Sequence, residues 1–178
     1  LFNPLYVRAR MVVTAVVDEN FQVKVSDFGL SRFAAAEQTD STSTLTKLRG
    51  TYAYCAPEVY FGQAYSAKAD VFSFGIILWE LAYRCLTRTY QQPYSEYKHI
   101  VFDFQIIIQT AKNDLRPTMP KNTPKVYADL VRQCWDSSPA NRPDTPQLME
   151  ACQTLLREYQ ANQAEWDALI ALTPTPEG

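Results

Sequence analysis

An apolar run near the middle of the chain predicts a buried helix. Nearly every residue from Asp70 to Tyr83 is apolar, and only nine uncharged residues separate Asp70 from Glu80. A helix that is apolar on all sides lies inside a protein, and this run is too short to span a bilayer. Ser66 precedes the run as a favourable N-cap. Asp70 is either a carboxylate favoured by the helix dipole or a fixed acceptor that holds a neighbouring loop.

The remaining hydrophobic pattern predicts a hairpin followed by a helical mass. Residues 15–17 are apolar, residues 18–20 suit a turn, and residues 21–26 alternate, which together indicate a β-hairpin with one buried face. Helical patterns follow at residues 99–112, 126–135 and 146–159, separated by loops at about 85–97, 113–124 and 136–139. The fold is therefore predicted to be mainly α, with one short β-hairpin at its N-terminal end and a polar tail over residues 161–178.

Composition narrows the class of protein without naming a function. The chain has 178 residues, of which 47% are hydrophobic and 20% charged, as in a soluble globular protein. A net charge of -2 favours neither nucleic acid nor an anionic membrane as a partner. His99 is the only histidine and the four cysteines form no CxxC pair, which argues against a zinc site.

The cysteines and the first residues together predict a cytoplasmic protein. Widely spaced cysteines are expected to be reduced thiols that pack as small buried hydrophobes rather than act as nucleophiles. The sequence opening, Leu1-Phe2-Asn3-Pro4, lacks the basic and apolar regions of a signal peptide.

Candidate chemistry begins directly after the predicted hairpin, at Asp27-Phe28-Gly29. Taken alone, this tripeptide is equally well explained as a turn that ends a strand. Residues 34–49 are small and polar, which predicts a mobile loop whose hydroxyl groups serve either solubility or phosphorylation. Ala56-Pro57-Glu58 then favours the start of a helix.

Five short motifs, taken in order, resemble the C-terminal lobe (C-lobe) of a eukaryotic protein kinase over about residues 14–160. The motifs are Asp27-Phe28-Gly29, Ala56-Pro57-Glu58, the group Asp70, Ser73 and Gly75, the pair Cys134-Trp135, and Arg142. The first two lie 29 residues apart, which suits an activation segment over residues 27–58. An unrelated helical scaffold would have to match all five motifs by chance.

Two features of the resemblance point to one kinase group. Gly50-Thr51 is similar to the substrate loop of serine/threonine kinases, whereas Cys134-Trp135 and the helical composition resemble tyrosine kinases. Together they resemble the tyrosine-kinase-like group, whose members mostly phosphorylate Ser and Thr. The resemblance therefore implies protein substrates, with ATP and Mg²⁺ as cofactors.

The resemblance also implies roles for individual residues. Asp27 would bind Mg²⁺ on the ATP phosphates, and Val16 would contact the adenine. Asp70 would hold the catalytic loop through its backbone, and Glu58 and Arg142 would form a buried ion pair that braces the segment. The substrate loop would include Gly50, Thr51, Tyr54 and Pro57.

Regulation is predicted in the polar loop. Thr44 or Thr46 is the expected phosphorylation site, because both lie just before Gly50. A phosphate there needs a cationic partner to order the loop, and Arg8 and Arg32 are the candidates.

The segment over residues 1–13 departs from the family pattern. Family spacing puts Ala9 at the position of the catalytic base and Thr14 at that of the Mg-binding asparagine, and only Arg8 matches. No GxGxxG loop or strand lysine is found, so the N-terminal lobe (N-lobe) is expected to be absent. The chain alone is therefore expected to be inactive, as a fragment, a mis-assembled gene product or a pseudokinase. The alternative function is that of a pseudokinase-like binding module that docks partners through its substrate face or the helix at 98–112.

Overall fold

One long helix supplies the largest share of the buried core. The computed structural model describes residues 6–7, 14–17, 22–26, 52–62 and 66–171. Its longest helix, α2 (Ala67–Thr87), starts after Ser66, whose Oγ accepts the Lys68 N–H at 3.3 Å. The predicted cap and core helix are therefore confirmed. No helix among the described residues is long and apolar enough to cross a membrane.

The end of α2 differs from the prediction, which placed a loop from about residue 85. Leu86 is buried and continues the apolar face of the helix by one more turn. The helix then ends at Arg88, which has a left-handed backbone (φ 58°) and donates its N–H to the carbonyl of Arg84.

The other elements follow in the predicted order. A three-stranded antiparallel sheet is formed by β1 (Tyr6–Val7), β2 (Thr14–Val17) and β3 (Val23–Ser26), in that order. The helices are α1 (Pro57–Tyr60), α3 (Asp103–Asn113), α4 (Lys125–Cys134), α5 (Thr145–Ala161) and α6 (Gln163–Ala171), with short 3-10 turns at Tyr52–Tyr54 and Pro139–Asn141. The mainly α fold with its hairpin, β2–β3, is confirmed, and β1 is an additional strand.

Helices α2 and α4 approach each other closely at Gly75. A Cβ atom at this position would lie 2.9 Å from the Cβ of Cys134 and 3.2 Å from the backbone nitrogen of Trp135. A glycine is therefore required here by the close contact between the helices.

Helix α3 starts later than the predicted residue 99. The side-chain Oε1 of Gln105 accepts the N–H groups of Val101 and Phe102 at 2.8 and 2.9 Å, so the helix begins only at Asp103. The buried positions of this helix are Ile106, Ile107 and Thr110. Val101 and Phe104, two apolar residues within the predicted helical range of 99–112, are 73% and 49% exposed.

The predicted polar tail contains a helix. Asn162 separates α5 from α6, and its carbonyl accepts the N–H groups of Glu165 and Trp166 at 3.0 and 3.1 Å. The rings of Tyr159 and Trp166 then pack edge to face, with centroids 5.6 Å apart. Residues 163–171 are thus folded back against α5, a contact that composition alone did not reveal.

The four cysteines are free thiols, but they are not all buried. Cys55 and Cys134 are buried as predicted, whereas Cys152 is half-buried and Cys85 is exposed, which corrects the prediction for these two. Burial, together with the charge of Glu58, raises the pKa of Cys55 to about 12, so this thiol stays protonated at neutral pH.

Candidate functional site

A buried ion pair anchors the segment at residues 52–60. Pro57 is the first residue of α1, and its missing N–H is no loss at a helix start. The carboxylate of Glu58, the next residue, lies 2.7 and 2.8 Å from Nη1 and Nη2 of Arg142. The two side chains are 3% and 0% exposed. The predicted ion pair is therefore confirmed, with the two-pronged geometry that favours arginine over lysine.

Arg142 also ties two further parts of the chain to this pair. Its Nε donates to the carbonyl of Asp136 at 2.8 Å, and Nη1 donates to that of Lys68 at 2.9 Å. A longer bond of 3.4 Å joins Nη2 to the carbonyl of Ser137. All five N–H donors of this buried guanidinium thus have an acceptor. One side chain connects α1, the start of α2 and the loop after α4.

A second arginine packs on the same aromatic ring as the first. The guanidinium carbons of Arg116 and Arg142 lie 5.0 and 5.1 Å from the centroid of the Phe72 ring. Arg116 forms an ion pair with Asp114 at 2.9 Å and donates its Nε to the carbonyl of Trp135 at 2.9 Å. Burial lowers the pKa of Arg116 from its ordinary value, although the group remains a cation. Sequence reasoning missed Arg116, which stands in a proline-rich loop without periodic signal.

A cluster of three polar side chains holds the start of the same segment. Glu80 of α2 accepts hydrogen bonds from the hydroxyls of Tyr54 at 2.9 Å and Tyr90 at 3.1 Å. The carbonyl of Tyr54 also accepts from Oγ of Ser73 at 2.8 Å. Tyr54 was predicted in the substrate loop, whereas the roles of Glu80 and Tyr90 were missed. A lone carboxylate within an apolar helix was the one available signal.

The protonation states in this cluster follow from burial. Burial raises the pKa of Glu80, and the hydrogen bonds from the two tyrosines oppose that rise in part. Burial and the nearby carboxylate raise the pKa of Tyr90 to about 12 and that of Tyr54 well above its ordinary value. Both phenols therefore remain hydrogen-bond donors at neutral pH.

The structure describes only some of the predicted site residues. Asp70 is half-buried in the first turn of α2. The predicted residues that lie outside the described part of the chain are Arg8, Ala9, Asp27, Arg32, Thr44, Thr46, Gly50 and Thr51.

The strand register places two predicted cofactor positions on different residue pairs of the hairpin. Thr14 pairs with Ser26, and Val16 pairs with Lys24. The Thr14 position therefore lies across from the residue that precedes Asp27.

A comparison of the sequence with known protein families identifies the family of this chain. A family model described as protein tyrosine and serine/threonine kinase matches residues 7–152. This chain belongs to the protein kinase family. The predicted resemblance is thus confirmed, and the described helices of the kinase chain are those of the C-lobe.

The relatives of the kinase chain include proteins named as serine/threonine kinases. It is 48% identical over 154 residues to a probable serine/threonine-protein kinase of Dictyostelium discoideum, covering 86% of this chain and 7% of the relative. The stress-activated protein kinase alpha of the same organism is 44% identical over 171 residues, covering 96% and 26%. A serine/threonine-protein kinase of Arabidopsis thaliana is 36% identical over 156 residues, covering 88% and 24%. The kinase chain thus spans about a quarter or less of the length of these relatives.

The residues at the cofactor positions fit Mg²⁺ and ATP only in part. Protein kinases use metal ions to bridge the ATP phosphates and an aspartate to accept the substrate proton. Asp27 offers a carboxylate, but Thr14 offers a hydroxyl where an asparagine amide is expected, and Ala9 offers no acceptor. Within the described ranges, no group of three or more His, Cys, Asp or Glu side chains could hold a metal ion.

Proposed function

We propose that this chain is the substrate-binding lobe of a cytoplasmic serine/threonine protein kinase of the tyrosine-kinase-like group, and that the kinase acts on proteins. The observation that carries the proposal is the buried pair of Glu58 and Arg142, which fixes the end of the predicted substrate loop on the core. The names of two relatives and the Gly50-Thr51 dipeptide support Ser/Thr specificity.

The loop is held from two sides in this proposal. Glu58 fixes its C-terminal end, and Ser73 and Glu80 fix Tyr54 near its middle. A peptide would then bind along residues 50–57. A loop held in place lowers the entropic cost of orienting the peptide, which is a large part of catalysis in phosphoryl transfer.

The cofactor and regulatory roles are proposed from the family. Bound Mg-ATP would supply the phosphoryl group, with Asp27 on the metal and Val16 against the adenine. Asp70 would position the catalytic loop. Phosphorylation of Thr44 or Thr46 would order the polar segment through Arg8 or Arg32.

We further propose that the chain by itself transfers no phosphate. Ala9 cannot accept the proton of a substrate hydroxyl, and Thr14 is a poor metal ligand. The same two residues favour the second candidate function, a pseudokinase-like module that uses its substrate face to bind proteins without modifying them.

A transfer assay tests the absence of activity. Residues 1–178 are incubated with γ-labelled ATP, Mg²⁺ and a generic Ser/Thr substrate, and Asp27→Ala is the matched control. The expected result is no transfer above the control. Transfer clearly above it would refute both the alignment of Ala9 and the view that the chain is inactive.

A chimera separates the two candidate functions. The N-lobe of an active serine/threonine kinase is fused ahead of this chain, with and without Ala9→Asp/Thr14→Asn. A substrate-binding kinase lobe predicts that the double substitution raises transfer by about a hundredfold or more, the usual contribution of a positioned base. Equal, background-level rates in the two chimeras would favour the binding module.

A further inference from the structure

A groove at the C-terminal helices of the lobe is open to solvent and has an apolar floor. It lies between α4, α5 and α6 and has a volume of about 710 Å³. Its floor is formed by Leu130, Ala151, Leu155, Trp166 and Leu169. All but Leu130 are only half-buried, so these side chains remain within reach of a ligand. An apolar surface of this kind, rimmed by polar groups, is typical of protein interaction sites.

The rim of the groove is acidic. Four carboxylates line it, from Asp129, Glu150, Glu158 and Glu165, against the single ammonium of Lys125. This local net charge of -3 exceeds in magnitude the net charge of -2 of the entire chain. Lys125 is already paired with Asp129, so the remaining three carboxylates dominate the field over the floor.

The dimensions of the groove suit a helix. Its α5 wall extends from Gln147 to Glu158, which is roughly 16 Å or three helical turns. Glu150 and Glu158 lie about 12 Å apart along this wall. Half of the α5 wall and all of α6 lie beyond residue 152, where the match to the kinase family model ends.

We propose that this groove binds a basic amphipathic helix of a partner protein. The apolar face of such a helix would cover the floor, while its Lys or Arg side chains, about two turns apart, would meet Glu150 and Glu158. Charge complementarity identifies the occupant as basic. An acidic helix would place like charges against the three carboxylates, and a neutral helix would leave the carboxylates without a cationic partner. The inference does not depend on phosphate transfer and goes beyond the proposed function.

A designed peptide tests the proposal on the full chain. The probe is a fluorescein-labelled Leu/Lys peptide of about 18 residues, or five turns, with Leu on one face and Lys on the other. Its matched control carries Glu in place of Lys. Fluorescence anisotropy is expected to show saturable binding of the Lys peptide that weakens between about 50 and 300 mM NaCl. Absence of saturable binding, or equal binding of the Glu peptide, would overturn the proposal.

Two charge-reversal variants separate the groove from general attraction to an acidic protein. Glu150→Lys/Glu158→Lys is expected to weaken binding of the Lys peptide by about tenfold or more. Asp103→Lys/Asp167→Lys makes the same change in net charge at exposed positions outside the groove lining and is expected to change binding less than about twofold. Equal weakening in both variants would overturn the proposal.

Two further measurements complete the test. Circular dichroism and thermal unfolding verify that both variants fold, which is expected because every substituted residue is exposed on a helix. Sedimentation of the free chain checks for self-association. A dimer that dissociates only in Glu150→Lys/Glu158→Lys would assign the groove to a second copy of this chain and overturn the proposal.

Discussion

Two points of the predicted substrate loop, its middle and its C-terminal end, are held by carboxylates whose charges are balanced in different ways. Glu58 is 3% exposed and meets the two-pronged guanidinium of Arg142. Glu80 is half-buried, and its donors among the described residues are neutral, the hydroxyls of Tyr54 and Tyr90. A fully buried anion needs a cation and additional hydrogen bonds, whereas partial access to water lets hydroxyl groups suffice. The depth of burial therefore decides which partner residue each carboxylate requires.

The largest effect is expected when the deeply buried anchor is broken. Arg142→Leu should lower the free energy of unfolding by about 3–5 kcal/mol, because Glu58 is left buried without a cation. Urea unfolding followed by circular dichroism measures the loss. The control is Arg132→Leu, whose exposed partner Asp129 makes a surface ion pair at 3.1 Å. Equal losses in the two variants would contradict the distinction between buried and exposed pairs.

Removal of both charges should be less harmful than removal of one. Glu58→Leu/Arg142→Leu leaves no unpaired charge in the core, so its unfolding free energy should exceed that of Arg142→Leu alone. The double variant is still expected to be less stable than wild type, because the carbonyls of Lys68 and Asp136 lose their donor in both variants. The same urea assay provides the comparison. A double variant less stable than Arg142→Leu would show that the charge of Glu58 is not the main penalty.

The contribution of Glu80 to the stability of the fold should depend on pH. Burial raises the pKa of Glu80, so the folded state takes up a proton more readily than the unfolded chain. The stability from this group is complete below the unfolded value of about 4.3 and is lost as pH rises through the folded value. Wild type should therefore lose stability relative to Glu80→Gln between about pH 4 and pH 7. A constant difference across this range, measured by urea unfolding, would contradict the predicted pKa direction.

The smallest effects separate the two tyrosines that bind Glu80. Tyr54→Phe should cost about 1 kcal/mol of unfolding free energy, because this hydroxyl is largely shielded from water. Tyr90 is 61% exposed, and Tyr90→Phe should cost no more than about 0.5 kcal/mol since water replaces its hydroxyl. Urea unfolding at neutral pH compares the two variants. A larger loss of unfolding free energy in Tyr90→Phe than in Tyr54→Phe would contradict the conclusion that the Tyr54 hydroxyl is the more buried donor.

Local signals in the sequence predicted the main elements. The cap at Ser66, the core helix behind it and the hairpin follow from neighbouring residues, and the structure has all three. The pairing of Glu58 with Arg142 came from the family resemblance, since 84 positions separate the partners. Contacts between residues so far apart in the sequence leave no periodic pattern from which they could be predicted.

The features that were missed depend on side chains that meet only after folding. Glu80 receives its donors from residues 26 positions before it and ten after it, and Arg116 packs on a ring of another helix. The start of α3 was predicted too early because the capping role of Gln105 overrides the apolar period. Helix α6 was missed because its Trp166 is stabilised by a ring on α5.

The stacking of Arg116 and Arg142 on Phe72 gives the lobe a natural reporter for NMR spectroscopy. Protons above the face of an aromatic ring are shielded by its ring current, so the guanidinium resonances of both arginines are displaced upfield while they remain stacked. Their Nε–H protons are also held by carbonyls, which slows exchange with water. Arg142 also binds Glu58. Its side-chain signal therefore reports in solution whether Glu58 stays paired with Arg142, without any introduced probe.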